Sequence, residues 1–332
     1  MCIRDRDRAA RWERGRLSRP AVERLYGHRV PMSASRMDKY KSCHFSYFMR
    51  YGLQAEPRKP AGFTAPEYGT FVHYVLEHVL KDDAFQQTTL PGWEDEQDQE
   101  RRDRVAELTR QAVEQYVREE LGGLEQQSER FQYLFRRLLR SVQAVVDNVT
   151  QEIWASKFRP ISFELGFGNG KDLPPVELTV GDVTLSITGF VDRVDGWEHD
   201  GRLYLRVVDY KTGAPHLEFD GVESLFTGTG KQRLSNILQT LLYSMILHHT
   251  RGCDAEPALY YVRSMNRPDY SPQLDDKQLG VRGARYTLYR ERFEELLRAQ
   301  LAEMYDPAVP FRQCEDADTC KFCDFRIICK RG

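Results

Sequence analysis

Asp192, Asp209 and Lys211 are the residues whose types and spacing most clearly indicate chemistry. They lie in Gly-Phe-Val-Asp-Arg and Val-Val-Asp-Tyr-Lys-Thr-Gly, two segments with the pattern of strands. Side chains alternate along a strand, so Asp209 and Lys211 share a face, and a hairpin over 197–202 would bring Asp192 within cross-strand reach. Adjacent carboxylates favour a hard cation such as Mg²⁺ or Mn²⁺, which lowers the pKa of bound water and stabilises charge on a phosphate. The pattern therefore predicts hydrolysis of a phosphodiester.

The simpler interpretation of an aspartate and a lysine two residues apart on a strand is a solvated surface pair. Here Asp209 follows an apolar strand, where a solvated pair is not expected. Thr212-Gly213 then ends that strand abruptly, as at a site built on a strand terminus. This context favours a functional site over a surface ion pair.

Four cysteines form a second candidate site, one near the start of the chain and three near its end. Cys43 stands alone, and Cys320, Cys323 and Cys329 follow as C-x2-C-x5-C. Four thiolates suit either zinc or a [4Fe–4S] cluster, and the residues alone do not separate the two, although zinc ribbons usually carry two C-x2-C pairs. Cys314 is close enough in sequence to compete as a ligand. Seven cysteines without a signal peptide indicate a reducing, cytoplasmic compartment.

Composition indicates an ordinary globular protein without identifying its partner. The 332 residues are 41% hydrophobic and 30% charged, and the net charge of −2 gives no overall sign of nucleic-acid binding, although a local basic groove would suffice. No apolar run approaches the roughly 18 residues of a membrane-spanning helix, so we expect a soluble chain with no membrane partner. Residues 1–30 open with a charge-dense repeat and are expected to be a non-native leader or a linker remnant.

The periodicity of apolar residues divides the remaining chain into a helical region at 31–160, an α/β core at 161–306 and a cysteine-rich tail at 307–332. Predicted helices cover about 33–51, 69–81, 101–121, 128–157, 233–249 and 290–304, with a polar loop over 82–102. Predicted strands cover about 161–165, 176–180, 183–187, 189–195, 203–210 and 258–262. The strand over 203–210 is apolar on both faces at Val207-Val208 and is expected to be central.

These motifs resemble those of the PD-(D/E)XK nucleases of the RecB type. The two aspartate segments resemble the family's second and third motifs, Gly-Thr-Phe-Val-His73 its upstream histidine motif, and Gln239-Thr-Leu-Leu-Tyr243 its helical Q-x3-Y motif. The resemblance implies an α/β fold with a restriction-endonuclease-like mixed sheet flanked by helices. It also implies metal ligation by His73, Asp192 and Asp209, catalysis by Lys211, and orientation of that lysine or contact with DNA by Gln239 and Tyr243.

Further site residues are implied with less distinctive sequence signals. Glu164, in Phe-Glu-Leu, resembles the family's acidic metal ligand on the first core strand, although Glu177 occurs in a similar Val-Glu-Leu. Arg193, Lys231 and Arg233 are candidate phosphate contacts, and for the last two a solvated surface charge is the simpler interpretation.

The segment around Cys43 and the C-terminal cysteines resemble the iron-staple nuclease domain of the B subunits of AddAB helicase-nucleases. This resemblance covers roughly residues 31–330 and implies a [4Fe–4S] cluster on Cys43, Cys320, Cys323 and Cys329. It further implies a Mg²⁺- or Mn²⁺-dependent DNA exonuclease that processes double-strand breaks for recombinational repair beside a helicase-nuclease A subunit. Two alternatives stand beside it: a stand-alone iron–sulfur exonuclease of the CRISPR-adaptation type, and a catalytically inactive module that binds DNA ends.

Overall fold

The structure is a computed structural model that describes residues 18–27, 29–56, 63–82, 85, 95–228, 233–267, 269–321 and 323–329. Within these ranges the side chains of residues 19 and 95–98 are not described. No helix in the described ranges combines the length and apolarity needed to cross a membrane.

A four-stranded mixed sheet forms the centre of the molecule, in the order β2-β5-β6-β8. Its strands are β2 (Arg159–Phe167), β5 (Gly189–His199), β6 (Arg202–Lys211) and β8 (Ala255–Tyr261). β5 is antiparallel to both β2 and β6, and β8 is parallel to β6. The predicted hairpin is confirmed, because His199 pairs with Arg202 across the turn between β5 and β6. The predicted central position of β6 is confirmed as well.

Helices cover both faces of this sheet because its central strands bury residues on each side. Val207 joins a hydrophobic core with helices α8 (Ser235–Arg251) and α9 (Tyr286–Met304). Its neighbour Val208 joins a second core on the other face. That second core is formed with α4 (Ala65–Leu80), α5 (Asp95–Glu119) and α6 (Glu129–Ala155). The predicted α/β class, a mixed sheet flanked by helices, is confirmed.

A smaller sheet includes part of the segment that was expected to be a leader. It consists of β1 (Arg29–Met32), β4 (Val183–Ile187) and β3 (Val176–Val180), in the order β1-β4-β3. Val30 and Met32 of β1 are buried, as are Val22 and Tyr26 of the preceding helix α1 (Arg19–Tyr26). α1 and β1 therefore contribute to the fold, because their apolar residues are buried and β1 pairs with β4. Residues 1–17 lie outside the described part.

The first predicted helix, over 33–51, is interrupted at Cys43. It begins as α2 (Ala34–Ser42) and restarts as α3 (His44–Tyr47), which continues as a π-helical turn over Phe48–Gly52. Cys43 has extended backbone geometry, with φ −167° and ψ 114°, and its sulfur accepts a hydrogen bond from the backbone of Ser46. The break places the cysteine side chain at the start of α3, facing the C-terminal tail.

The predicted polar loop over 82–102 is wrong in its last part, because α5 begins at Asp95. Its polar residues support a helix through contacts one turn apart, such as Gln99 with Asp103 at 2.9 Å. Residues 86–94, with the Pro91-Gly92 that suggested a loop, lie outside the described part.

The remaining elements are short and were not predicted. They are a 3₁₀ turn (Leu124–Gln126), β7 (Glu218–Phe219), α7 (Gly221–Thr227), β9 (Asp275–Asp276), β10 (Val281–Arg282), α10 (Ala317–Lys321) and α11 (Arg326–Cys329).

Candidate metal and hydrolytic site

His73, Glu164 and Asp192 converge although they lie on three different elements, α4, β2 and β5. One ligand atom from each lies within 4.8 Å of the other two, and all three side chains are half-buried. The strand register explains the convergence of the two carboxylates, because Phe163 pairs with Arg193 and Leu165 with Val191. Glu164 therefore lies opposite Asp192. An imidazole with two carboxylates is a donor set that suits a divalent cation.

The backbone holds His73 in one orientation. Its Nε2 donates a hydrogen bond to the carbonyl oxygen of Tyr210 at 3.1 Å, because a carbonyl can only accept. Its Nδ1 lies 3.5 Å from Oδ2 of Asp192. The same Asp192 oxygen accepts a hydrogen bond from the Tyr210 backbone nitrogen at 2.8 Å. In the neutral imidazole the Nδ1 lone pair therefore points toward the carboxylates, and the donated hydrogen bond fixes the tautomer as it does at metal sites.

Glu164, rather than the similarly placed Glu177, joins this group. Its φ of +45° lies in the left-handed region, which is uncommon for a residue with a side chain and costs free energy. Folded proteins retain such strain mostly at functional sites. Glu177, in contrast, is exposed on β3 and its Oε1 lies 3.6 Å from Nη1 of Arg29. The sequence alone could not separate the two glutamates.

Asp209, Lys211, Gln239 and Tyr243 form a line of polar contacts beside these three residues. Nζ of Lys211 lies 2.6 Å from Oδ2 of Asp209 and donates to Oε1 of Gln239 at 3.2 Å. The Gln239 amide nitrogen in turn donates to the Tyr243 hydroxyl at 2.7 Å. Gln239 thus contacts the lysine directly, and Tyr243 contacts Gln239. Asp209 lies outside the group of His73, Glu164 and Asp192, and its direct partner is the lysine.

The electrostatics of this region are those of a site built for positive charge. Burial, reinforced by the Asp192 carboxylate, raises the pKa of Glu164 to about 7. Burial also raises the pKa of Asp209 to about 6, with Lys211 opposing and Asp192 adding to the shift. For His73 burial acts to lower the pKa, but hydrogen bonding to Asp192 and its charge raise it to about 9. A divalent cation would relieve this crowding of negative charge.

Arg193 is not a phosphate contact, because its side chain, which projects from β5, is fully buried. Its Nε lies 2.7 Å from Oδ1 of Asp195, and Nη2 of Arg206 lies 2.7 Å from the other Asp195 oxygen. The sequence signal was available, since Arg193 and Asp195 are two residues apart on one strand and Asp195 pairs with Arg206 across the hairpin. Arg233 has its Nε 2.8 Å from Oδ1 of Asp38, and Lys231 lies outside the described residues.

A cavity of about 100 Å³ lies among the C-terminal cysteines, next to the start of α3. The sulfur-bearing residues that line it are Cys43, Cys314, Cys320, Cys323 and Cys329. Two backbone N–H groups point at the Cys43 sulfur, those of Ser46 at 3.5 Å and Cys314 at 3.4 Å. Such donors stabilise a thiolate. The single upstream cysteine and the three downstream ones are therefore brought together.

Cys314 is a fifth thiol at this cavity. Its sulfur lies 3.5 Å from that of Cys320. Burial, together with the neighbouring thiols of Cys43 and Cys320, raises its pKa above the ordinary value. Cys253 lies apart, with its sulfur directed at the carbonyl oxygen of Arg251 at 3.5 Å.

Comparison with known proteins gives one family for the chain. The family model of the PD-(D/E)XK nuclease superfamily matches residues 31–330. The chain is 34% identical over 202 residues to the B subunit of the ATP-dependent helicase/deoxyribonuclease of Caldanaerobacter subterraneus subsp. tengcongensis, a match that covers 60% of this chain and 17% of the relative. It is 29% identical over 285 residues to the protein of the same name from Exiguobacterium sibiricum, covering 85% of this chain and 24% of the relative.

A third relative with that name, from Thermoanaerobacter sp. strain X514, is 33% identical over 244 residues, which are 73% of this chain and 20% of the relative. The chain thus spans at most about a quarter of the length of these curated relatives. The family match includes the carboxylate site and extends from before Cys43 to beyond Cys329. The chain belongs to the PD-(D/E)XK nuclease superfamily.

Proposed function

We propose that the chain is the nuclease part of a helicase/deoxyribonuclease B subunit and hydrolyses DNA phosphodiester bonds as a metal-dependent exonuclease. The observation that carries the proposal is the convergence of His73, Glu164 and Asp192 within 4.8 Å, beside the ion pair of Asp209 and Lys211. This arrangement combines ligands for a divalent cation with a fixed ammonium group. The names of the relatives extend the proposal to an ATP-dependent helicase/deoxyribonuclease. The AddB-type resemblance extends it further, to the processing of DNA ends in recombinational repair.

The side chains divide the work of hydrolysis by position. His73, Glu164 and Asp192 would hold Mg²⁺ or Mn²⁺, with Asp209 available as a further carboxylate ligand. A bound cation would supply an activated water and a counter-charge for the phosphate. Lys211 carries a fixed positive charge, because Asp209 and Asp192 raise its pKa although burial acts to lower it. It can orient the attacking water or donate to a phosphoryl oxygen, and Gln239 holds it in place.

Lys211→Ala tests the catalytic assignment. We expect cleavage of a linear DNA substrate in Mg²⁺ to fall by about 10²–10³-fold, the usual cost of losing one fixed donor to the transition state. Binding of the same DNA in EDTA should persist, because the lysine interacts mainly with Asp209 and Gln239. Lys277→Ala, which removes an exposed lysine elsewhere, is the matched control. Undiminished cleavage by Lys211→Ala would contradict the catalytic role of Lys211. A parent chain that cleaves no DNA with either Mg²⁺ or Mn²⁺ would contradict the proposed nuclease function.

We propose further that the thiols of Cys43, Cys320, Cys323 and Cys329 hold a [4Fe–4S] cluster. The donor set fits, with a cavity between the sulfurs and backbone donors on Cys43. Four thiolates also suit zinc, and the choice of an iron–sulfur cluster rests on the resemblance of the cysteine pattern to the iron-staple domain.

An absorption spectrum of anaerobically purified protein, with iron and zinc analysis, tests the cluster. We expect a broad charge-transfer band near the blue end of the visible range and about four irons per chain. Stoichiometric zinc with no visible band would contradict it.

By the names of the relatives, we also propose that the full protein pairs with a helicase-nuclease A subunit.

A further inference from the structure

A strip of basic residues lies on the exposed face of α6, away from the site described above. Four exposed residues of this helix recur at spacings of three and four and so share one face: Tyr133, Arg136, Arg137 and Arg140. With Glu129 and Gln132 they line an open hollow of about 570 Å³. We call these four residues the α6 strip.

The arginines of the α6 strip differ from other exposed arginines because they have no carboxylate partner. Across the part of the chain that the structure describes, none of the three forms an ion pair. By contrast, the exposed Arg110 of α5 lies 2.6 Å from carboxylate oxygens of both Glu107 and Glu114. On α9, Arg292 is likewise paired, with Glu223 at 2.7 Å. The α6 strip is therefore a local surplus of positive charge on a chain whose net charge is −2.

An exposed aromatic ring interrupts this positive charge. Tyr133 is 61% exposed, which is high for a large side chain, and the Arg137 guanidinium lies 5.8 Å from its ring centroid. Unpaired bases stack on exposed aromatic rings and on guanidinium planes, while the neighbouring cations contact the phosphates. The chemistry of the strip fits single-stranded nucleic acid better than a duplex, whose bases offer no free face.

A series of contacts runs from the residue after Arg140 to the end of β6. Ser141, next to Arg140, hydrogen-bonds through Oγ to the Tyr68 hydroxyl at 3.0 Å. The exposed Arg263 covers the ring of Tyr68, with its guanidinium 5.0 Å from the ring centroid. Arg263 follows Val262, whose backbone nitrogen donates to the carbonyl oxygen of Lys211 at 3.1 Å. These contacts place the exposed Arg263 between α6 and the end of β6, where Lys211 lies.

We infer that the α6 strip, continued by Arg263, binds the phosphates and bases of single-stranded DNA and leads the strand to the Lys211 site. The inference rests on the proposed function for its direction but makes a separate claim about binding. The rival occupant is an acidic segment of a partner protein, which would use the same cations without needing the exposed ring.

The test is the variant R136Q/R137Q/R140Q, assayed by fluorescence anisotropy with labelled oligothymidylate in EDTA, so that no cleavage occurs. We expect the affinity to fall roughly tenfold or more, and the slope of log K against log salt to become shallower by about 2, since each phosphate contact on a single strand contributes about 0.7. Tyr133→Ala should weaken binding without changing that slope, because it removes stacking and no charge.

The control variant R290Q/R292Q/R298Q removes the same number of charges from exposed positions on α9 and should bind oligothymidylate as the parent chain does. Unfolding midpoints for both triple variants verify that each remains folded. Equal affinities for the α6 variant and the parent, or equal losses in the two triple variants, would overturn the inference and leave the strip to a protein partner. Because binding is measured without a divalent cation, this outcome is independent of whether the parent chain cleaves DNA.

Discussion

At the scale of single residues, Asp195 supplies the nearest negative charge to two buried guanidinium groups, those of Arg193 and Arg206. Its two oxygens each lie 2.7 Å from a guanidinium, one from Arg193 and one from Arg206. Removing the charge of one partner in such a buried group costs about 3–5 kcal/mol, because Glu152, 3.2 Å from Arg206 and 3.8 Å from Arg193, would be left to balance two buried cations. We expect Asp195→Asn to lower the free energy of unfolding by about that amount in urea titrations.

Asp200→Asn is the matched control for this variant, since Asp200 is exposed in the β5–β6 turn and asparagine tolerates its φ of +50°. It should change the unfolding free energy by less than about 0.5 kcal/mol. A similar small effect for Asp195→Asn would show that the buried cluster contributes little.

The same cluster makes a prediction about acid. Burial acts to raise the pKa of Asp195, but Arg193 and Arg206 outweigh it and hold the pKa below its ordinary value. A carboxyl group whose pKa is lower in the folded state stabilises the fold fully above its unfolded pKa of about 3.9, and this contribution disappears as the pH falls through the folded value. The parent chain should therefore lose stability below about pH 4 more steeply than Asp195→Asn, in unfolding free energies measured across that range.

Glu164 supplies a second prediction at this scale. Glu164→Gln should weaken Mn²⁺ binding roughly tenfold or more in calorimetric titrations, because it removes one charged ligand from the group with His73 and Asp192. Glu177→Gln has the same chemistry on β3 and should leave the affinity unchanged, since Glu177 faces Arg29. Equal effects of the two substitutions would remove Glu164 from the site.

These two glutamates show what the sequence could and could not predict. Local spacing was enough for Asp209 and Lys211, which share a strand, and for Gln239 and Tyr243, which share a helix face. Glu164 and Glu177 have nearly identical local patterns, and only the pairing of β2 with β5 separates them. That pairing depends on contacts across the whole sheet, which no local spacing reports.

At the scale of elements, the pairing of β2 with β5 depends on one glycine. Gly189 lies opposite Phe167, and a Cβ at this glycine would come within 2.7 Å of the Phe167 ring. That ring is fully buried and packs edge-on against Tyr243 at 5.6 Å, so it has little room to move. We expect Gly189→Ala to destabilise the fold by about 1–3 kcal/mol, the usual cost of overpacking, as measured by urea unfolding.

Gly213→Ala provides the comparison, because a Cβ at Gly213 meets no atom within 4 Å. Its stability should match that of the parent chain, and equal stability of the Gly189 variant would show that Phe167 can move after all.

The positions of helices and strands were predictable from the sequence where one face of the element is buried. They were less predictable where the element has no buried face. The alternation of β3 and β4 and the apolar residues on both faces of β6 predicted their positions closely, because each strand has a buried side. The first turns of α5, from Asp95 to Arg102, contain no apolar stripe, so their polar composition suggested a loop. β1 was not predicted for a related reason, since its partner strand β4 is more than a hundred residues away in the chain.

At the scale of the whole molecule, the two ends of the family region meet at the thiol cavity. The backbone nitrogen of Phe45 donates to the carbonyl oxygen of Arg312 at 3.0 Å, and Phe48 stacks on Phe311 with ring centroids 4.8 Å apart. Closing a loop of this length costs roughly 5 kcal/mol of chain entropy. The proposed metal–thiolate bonds would add to these contacts in offsetting that cost.

Cys320→Ser therefore predicts a change in stability as well as in metal content. We expect the thermal unfolding midpoint to fall by several degrees, since each 1 kcal/mol corresponds to about 2–4 °C in a chain of this size, and the iron content to fall with it. Cys253→Ser is the control, because Cys253 does not line the thiol cavity and its sulfur lies 3.5 Å from the neighbouring Arg251 carbonyl, and it should change neither quantity. If Cys320→Ser loses its iron yet melts with the parent chain, the cavity holds a group that does not fasten the tail. If Cys320→Ser keeps both its iron content and its unfolding midpoint, Cys314 has replaced Cys320 as the ligand. The two sulfurs lie 3.5 Å apart.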